Sequence, residues 1–133
     1  MKTFRFILLL VLFFPFMGIS QTKKSDVKAV SSNKVEAYYF HNTSRCITCK
    51  TVEAEAKADL QSLYGDQVTF KALNLEDNAN KAIAEKLEVS GQTLLLVKGD
   101  QKINITNEGF MYARTNPVKF KKIIKEKVDK LLE

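Results

Sequence analysis

Val35-Glu36-Ala37-Tyr38-Tyr39-Phe40-His41-Asn42-Thr43-Ser44-Arg45-Cys46-Ile47-Thr48-Cys49-Lys50 is the stretch that decides how this chain folds. Its first six residues are a nearly continuous apolar run, as in a central strand covered on both faces. A polar loop, His41 to Arg45, leads to the chain's two cysteines, spaced Cys-x-x-Cys. From Cys46 to Leu63 a helix is predicted. Val52, Ala56, Leu60, Leu63 and Tyr64 recur at helical spacing, while Lys50, Glu53, Lys57 and Gln61 fall away from that stripe. Thr43 or Ser44 is expected to cap it, and Gly65-Asp66 to stop it. The cysteines therefore open a helix directly after a strand. Unsatisfied N–H groups and the positive end of the helix dipole favour a thiolate there. In such motifs the attacking thiol's pKa falls from about 8.5 to roughly 3.5–7.5. Thiol–disulfide exchange is the first chemistry these residues suggest.

Working outward, Gln67 to Leu73, running toward Leu75, reads as a second strand in which Val68, Phe70 and Ala72 alternate with polar residues. Asn78 to Leu87 reads as a helix capped by Asp77 or Asn78, with Ala79, Ala82, Ile83 and Leu87 inward. Thr93 to Lys98 is a buried strand. Gly99-Asp100 turns tightly into an alternating partner, Gln101 to Thr106, which makes the two antiparallel neighbours. Asn107 to Arg114, with Gly109, Phe110, Met111 and Tyr112, is expected to be a loop. Thr115 or Asn116 caps a last helix with Pro117 in its first turn and an apolar stripe of Phe120, Ile123, Ile124, Val128 and Leu131. The order is β–α–β–α–β–β–α. A βαβ crossover implies a parallel pair and the hairpin adds antiparallel strands. The expected class is α/β, a mixed four-stranded sheet flanked by helices.

Upstream, Lys2 and Arg5 precede an apolar run from Phe6 to Phe16, and Gly18-Ile19-Ser20 offers small residues before a cut ahead of Gln21. The run is shorter than the ~20 apolar residues of a spanning helix. Residues 1–20 read as a signal peptide, 21–33 as a polar, flexible lead-in, and 34–133 as one domain exported to the periplasm or beyond. Two cysteines cannot build a multi-bridge scaffold, so a packed core must hold the domain. The chain carries a formal charge of +6, or +4 once Lys2 and Arg5 are removed. Its basic residues are scattered rather than interleaved with aromatics, which argues against a nucleic-acid partner.

This element order, with Cys-x-x-Cys at the first strand-to-helix junction, resembles the thioredoxin-like superfamily over about residues 34–133, in the manner of its small exported single-domain members. Tyr38-Tyr39-Phe40, Cys46-Ile47-Thr48-Cys49-Lys50 and Val89-Ser90-Gly91-Gln92-Thr93-Leu94-Leu95-Leu96-Val97 carry the resemblance. It implies a thioredoxin-like fold, with Cys46 as nucleophile and Cys49 resolving the mixed disulfide. Partners would be protein disulfides or dithiols, with no bound cofactor. A membrane protein would then donate or accept electrons, since no nucleotide-binding fingerprint is present. The chain departs from the family in three places. Arg45 stands where many members have tryptophan. The first strand offers Glu36 but no aspartate as a buried proton acceptor. Gly91-Gln92-Thr93 occupies the position of the usual cis-proline loop. Arg45 and His41 are candidates to favour the Cys46 thiolate, and Gly91, Gln92 and Thr93 are candidates to face the substrate.

Two other readings of the cysteines stand beside exchange. One is a static disulfide in a non-catalytic binding module, although a ring over so few residues removes little chain entropy. The other is a thiolate metal site that includes His41, which supplies three ligands per chain where structural zinc takes four.

Overall fold

The central strand, β1 (Val35–His41), organises the domain. The computed structural model describes residues 33–133. The expected signal peptide over 1–20, and the lead-in except Asn33, lie outside the described residues. After β1 come α1 (Ile47–Tyr64), β2 (Val68–Asn74), α2 (Lys81–Lys86), β3 (Thr93–Lys98), β4 (Gln101–Asn104), α3 (Thr106–Tyr112) and α4 (Pro117–Leu132). The sheet order is β2-β1-β3-β4. β1 runs parallel to β2, from Val35 opposite Val68 to His41 opposite Asn74. It runs antiparallel to β3, from Glu36 opposite Val97 to Phe40 opposite Thr93. The β3–β4 hairpin completes the mixed sheet expected from the sequence.

Alternation along β1 sends successive side chains to two cores. Val35, Ala37 and Tyr39 join Val52, Ala56 and Leu60 of α1, Leu94 and Leu96 of β3, and Phe120, Ile124 and Val128 of α4. Tyr38 and Phe40 point the other way, into a smaller cluster with Leu95, Val97 and Ala84 of α2. Burying each large apolar side chain stabilises the fold by about 1.5–3 kcal/mol. The α1 side, with the larger cluster, therefore contributes most. It is this packing that holds the first turn of α1 against the end of β1.

Four local expectations are corrected. The α1 cap is Cys46, not Thr43 or Ser44. Thr43 is engaged elsewhere: its N–H donates to Glu76 Oε1 (3.2 Å) and its hydroxyl accepts from Asn74 Nδ2 (2.8 Å). The segment expected as a helix from Asn78 begins as a 3₁₀ turn over Asn78–Asn80, with Asp77 accepting from the N–H of Ala79 at 3.0 Å. The tighter turn shifts the phase of the apolar stripe. Ala84 is buried with Ile83 and Leu87 beside it, while Ala79 and Ala82 are exposed. β4 stops at Asn104, whose side chain accepts from the N–H of Thr106 at 2.9 Å and turns the chain. The expected loop from Asn107 is mostly helix, α3. Gly109, read as a loop residue, instead lets α3 approach α1: a Cβ there would sit 2.9 Å from Val52 Cγ1.

Candidate active site

Cys46 and Cys49 form a disulfide across the first turn of α1, with their Cα atoms 5.2 Å apart. Cys46 has extended backbone (φ −71°, ψ 165°) and is the helix cap. Its carbonyl accepts from Lys50 N–H and its Sγ accepts from Cys49 N–H, both at 3.2 Å. One of the helix's orphan donors is thus aimed at the sulfur itself, where negative charge would develop on reduction. The two cysteines differ sharply in access. Cys46 is exposed, whereas Cys49 is 4% exposed beneath it.

The site is anchored from below by Tyr39. Its buried phenol donates to the carbonyl oxygen of Cys49 at 2.9 Å. Burial pushes the Tyr39 hydroxyl up to about 12, with the Arg45 charge pulling it down and Glu53 pushing it up. At that value the phenol stays a donor at neutral pH. Sequence reading placed Tyr39 in the core and missed this bond, since a contact ten residues away leaves no local signal.

Arg45 precedes the exposed sulfur and forms an ion pair with Glu53, two turns along α1. The pair is partly screened from water, with side-chain exposures of 22% and 25%. The Arg45 charge expected to favour the thiolate is therefore offset by an acid. Glu53 had been legible only as a residue off the apolar stripe. His41 ends β1 half-buried, with Nδ1 2.9 Å from the carbonyl of Asn42 and its ring 6.1 Å from that of Tyr39. Among the described residues no group of three or more His, Cys, Asp or Glu is arranged to hold a metal ion. His41 and the two cysteines do not come together as such a set. Glu36 lies near the opposite end of β1 from His41, about 17 Å along the strand. It accepts from Tyr38 Oη at 2.9 Å and from Lys71 Nζ at 3.2 Å. It is too distant to take a proton from the cysteines.

Thr93 pairs with Phe40, so Gly91 and Gln92 lie at the same end of the sheet as His41 and the loop leading to Cys46. All three residues are half-buried. The Thr93 hydroxyl donates to the carbonyl of Gly91 at 2.9 Å, closing a local turn. The peptide bonds of the described residues are all trans.

A crystal structure of Trxlp from Edwardsiella tarda EIB202 is similar to this chain, with a TM-score of 0.52 and 19% identity over 72% of this chain and 86% of that one. The solved structure of a malarial protein aligns with a TM-score of 0.41 and 26% identity over 52% of this chain and 74% of its own. No protein-family model matches the sequence, and no curated protein matches it. The fold is thioredoxin-like: a mixed four-stranded sheet flanked by helices, with a Cys-x-x-Cys disulfide at the start of the helix that follows the central strand.

Proposed function

We propose that this protein is an exported thiol–disulfide oxidoreductase that exchanges its Cys46–Cys49 disulfide with cysteine pairs of partner proteins. The observation that carries the reading is the contrast between an exposed Cys46 at a helix N-terminus and a covered Cys49 bonded to it. In the reducing direction the Cys46 thiolate attacks one sulfur of a partner disulfide, and the other leaves as a thiolate that takes up a proton. Cys49, deprotonated, then attacks Cys46 Sγ and expels the second partner sulfur. Two electrons pass to the partner, and the Cys46–Cys49 bond is restored. The oxidising direction is the reverse. The helix N-terminus stabilises the Cys46 anion in the reduced form, where it is the attacking group, and in the reverse direction, where it is the leaving group. A membrane protein is the proposed source or sink of electrons.

A redox titration of the mature domain with a turnover assay on a test disulfide examines this reading. A midpoint near the poise of the compartment, with turnover, supports it. A midpoint well below about −300 mV without turnover assigns the pair to a structural staple in a binding module. Export is tested separately. The first residue of the protein recovered from the cell envelope should be Gln21, and an intact Met1 overturns the proposed cleavage.

A further inference from the structure

α3 places a second set of residues beside the cysteines. Gly109 packs against Val52 of α1, and Arg114, two residues past the end of α3, donates from Nη1 to Thr48 Oγ1 at 3.4 Å. Moving forward from Gly109 to Arg114 thus moves backward along α1 from Val52 to Thr48. The two segments run antiparallel, and the C-terminal end of α3 comes to rest against the Cys-x-x-Cys turn. Met111 lies between those two contacts and is 57% exposed. Ile47, immediately after Cys46, is 67% exposed. Two large apolar side chains therefore stand in water at this end of the fold, Ile47 directly after the exposed sulfur and Met111 on the helix whose C-terminal end meets the Cys-x-x-Cys turn. Two cations accompany them. Lys50, one helical turn from Cys46, and Arg114 form no ion pair among the described residues, whereas Arg45 is already matched by Glu53.

We propose that Ile47, Met111, Lys50 and Arg114 form a docking surface for the substrate segment around its reacting cysteine, selecting one that carries an apolar residue and a carboxylate next to that cysteine. The inference rests on the oxidoreductase reading and adds the class of substrate. A mixed disulfide fixes the partner's sulfur on Cys46. Partner residues two positions either side then fall within about 7 Å of that bond along an extended chain, over the Ile47 and Thr48 turn. The occupant is thus set by continuity with the reacting atom, and its charge by two unmatched cations. Arg114 spends one of five N–H donors on Thr48, which leaves its fork free for a carboxylate.

The test uses reduced protein, dithiothreitol as the recharging dithiol, and three peptide disulfides identical except beside the cysteines: Leu and Glu, Leu and Lys, or Ser and Glu. Hydroxyethyl disulfide serves as a substrate without flanking residues. The wild type should reduce the Leu-Glu peptide about tenfold faster in kcat/KM than the Leu-Lys peptide at low salt, because charges at the rim of an interface act mainly on encounter. The ratio should fall toward one at about 0.5 M salt, where the screening length is only a few ångströms. Arg114→Glu and, separately, Lys50→Glu should bring the ratio below the wild-type value. Met111→Ser should narrow the preference for Leu-Glu over Ser-Glu. Each readout is a ratio, so any general loss of folding or reactivity cancels. A wild-type ratio of one, or one unmoved by both charge reversals, overturns the docking surface while leaving the oxidoreductase reading intact. A wild type inert toward hydroxyethyl disulfide as well as the peptides overturns both.

Discussion

Tyr39 and Cys49 are joined by a buried 2.9 Å hydrogen bond from phenol to backbone carbonyl, which ties the central strand to the first turn of the helix that carries both cysteines. The carbonyl faces the core while the sulfur above it is bonded to an exposed partner. Tyr39→Phe keeps the ring and removes only this link. It should cost about 1 kcal/mol in urea unfolding, the usual net worth of one such bond.

Tyr39 also predicts an alkaline signature. Its folded hydroxyl is raised to about 12 from 10.0, chiefly by burial. The unfolded chain therefore ionises first. The contribution to stability is full below about pH 10 and is lost as the pH rises toward 12. Thermal melts of the wild type above pH 10 should fall more steeply than those of Tyr39→Phe. Parallel curves would refute the assignment.

Gly109→Ala opposes two effects. Alanine favours a helix by up to about 1 kcal/mol over glycine. Its methyl would meet Val52 Cγ1 at 2.9 Å, inside a core where Val52 has no exposed surface. Overpacking costs typically about 1–3 kcal/mol, so a net loss of stability is expected. Adding Val52→Ala should recover part of the loss attributed to Gly109→Ala. A double-mutant cycle in urea measures that coupling.

Asp59 is buried in α1, 3.6 Å from Lys121 Nζ, with no hydrogen-bond partner for its Oδ2 among the described residues. Burial raises its carboxyl above the usual range, Lys121 pulls it down, and Glu55 adds to the rise. The folded protein thus holds this proton more tightly than the unfolded chain. Its favourable contribution is full below the unfolded value and is lost as the pH rises through the folded one. Asp59→Asn should gain stability relative to wild type between about pH 4 and pH 7, as read from urea midpoints. A constant difference across that range would contradict the sign.

The proposed cysteine roles separate in a trapping experiment. Cys49→Ser should accumulate a mixed disulfide through Cys46, visible on non-reducing gels, because no second sulfur is left to displace the partner. Cys46→Ser should trap little, since Cys49 is covered. Equal yields would count against the order of attack.

Much of this architecture is legible in local patterns. The apolar run at β1, the stripe of α1, the β3–β4 hairpin and the Asn116–Pro117 start of α4 each follow from spacing and turn chemistry within a few residues. α3 was not legible because Gly109 has two uses, freeing a loop or admitting a neighbour, and only the position of Val52 distinguishes them. The same limit applied to the site. Its cysteines stand out in the sequence. The acid opposite Arg45, the phenol beneath Cys49 and the Arg114 beside Thr48 come from segments that the fold brings together.

The sulfur that caps α1 also gives the two redox forms unequal footing. An amide aimed at that atom favours it more as an anion than as half of a covalent bridge. Whatever steadies the dithiol form makes the bridged form a more eager acceptor of electrons. A single backbone N–H, that of Cys49, therefore tilts the balance between the bridged and the open form of this cysteine pair.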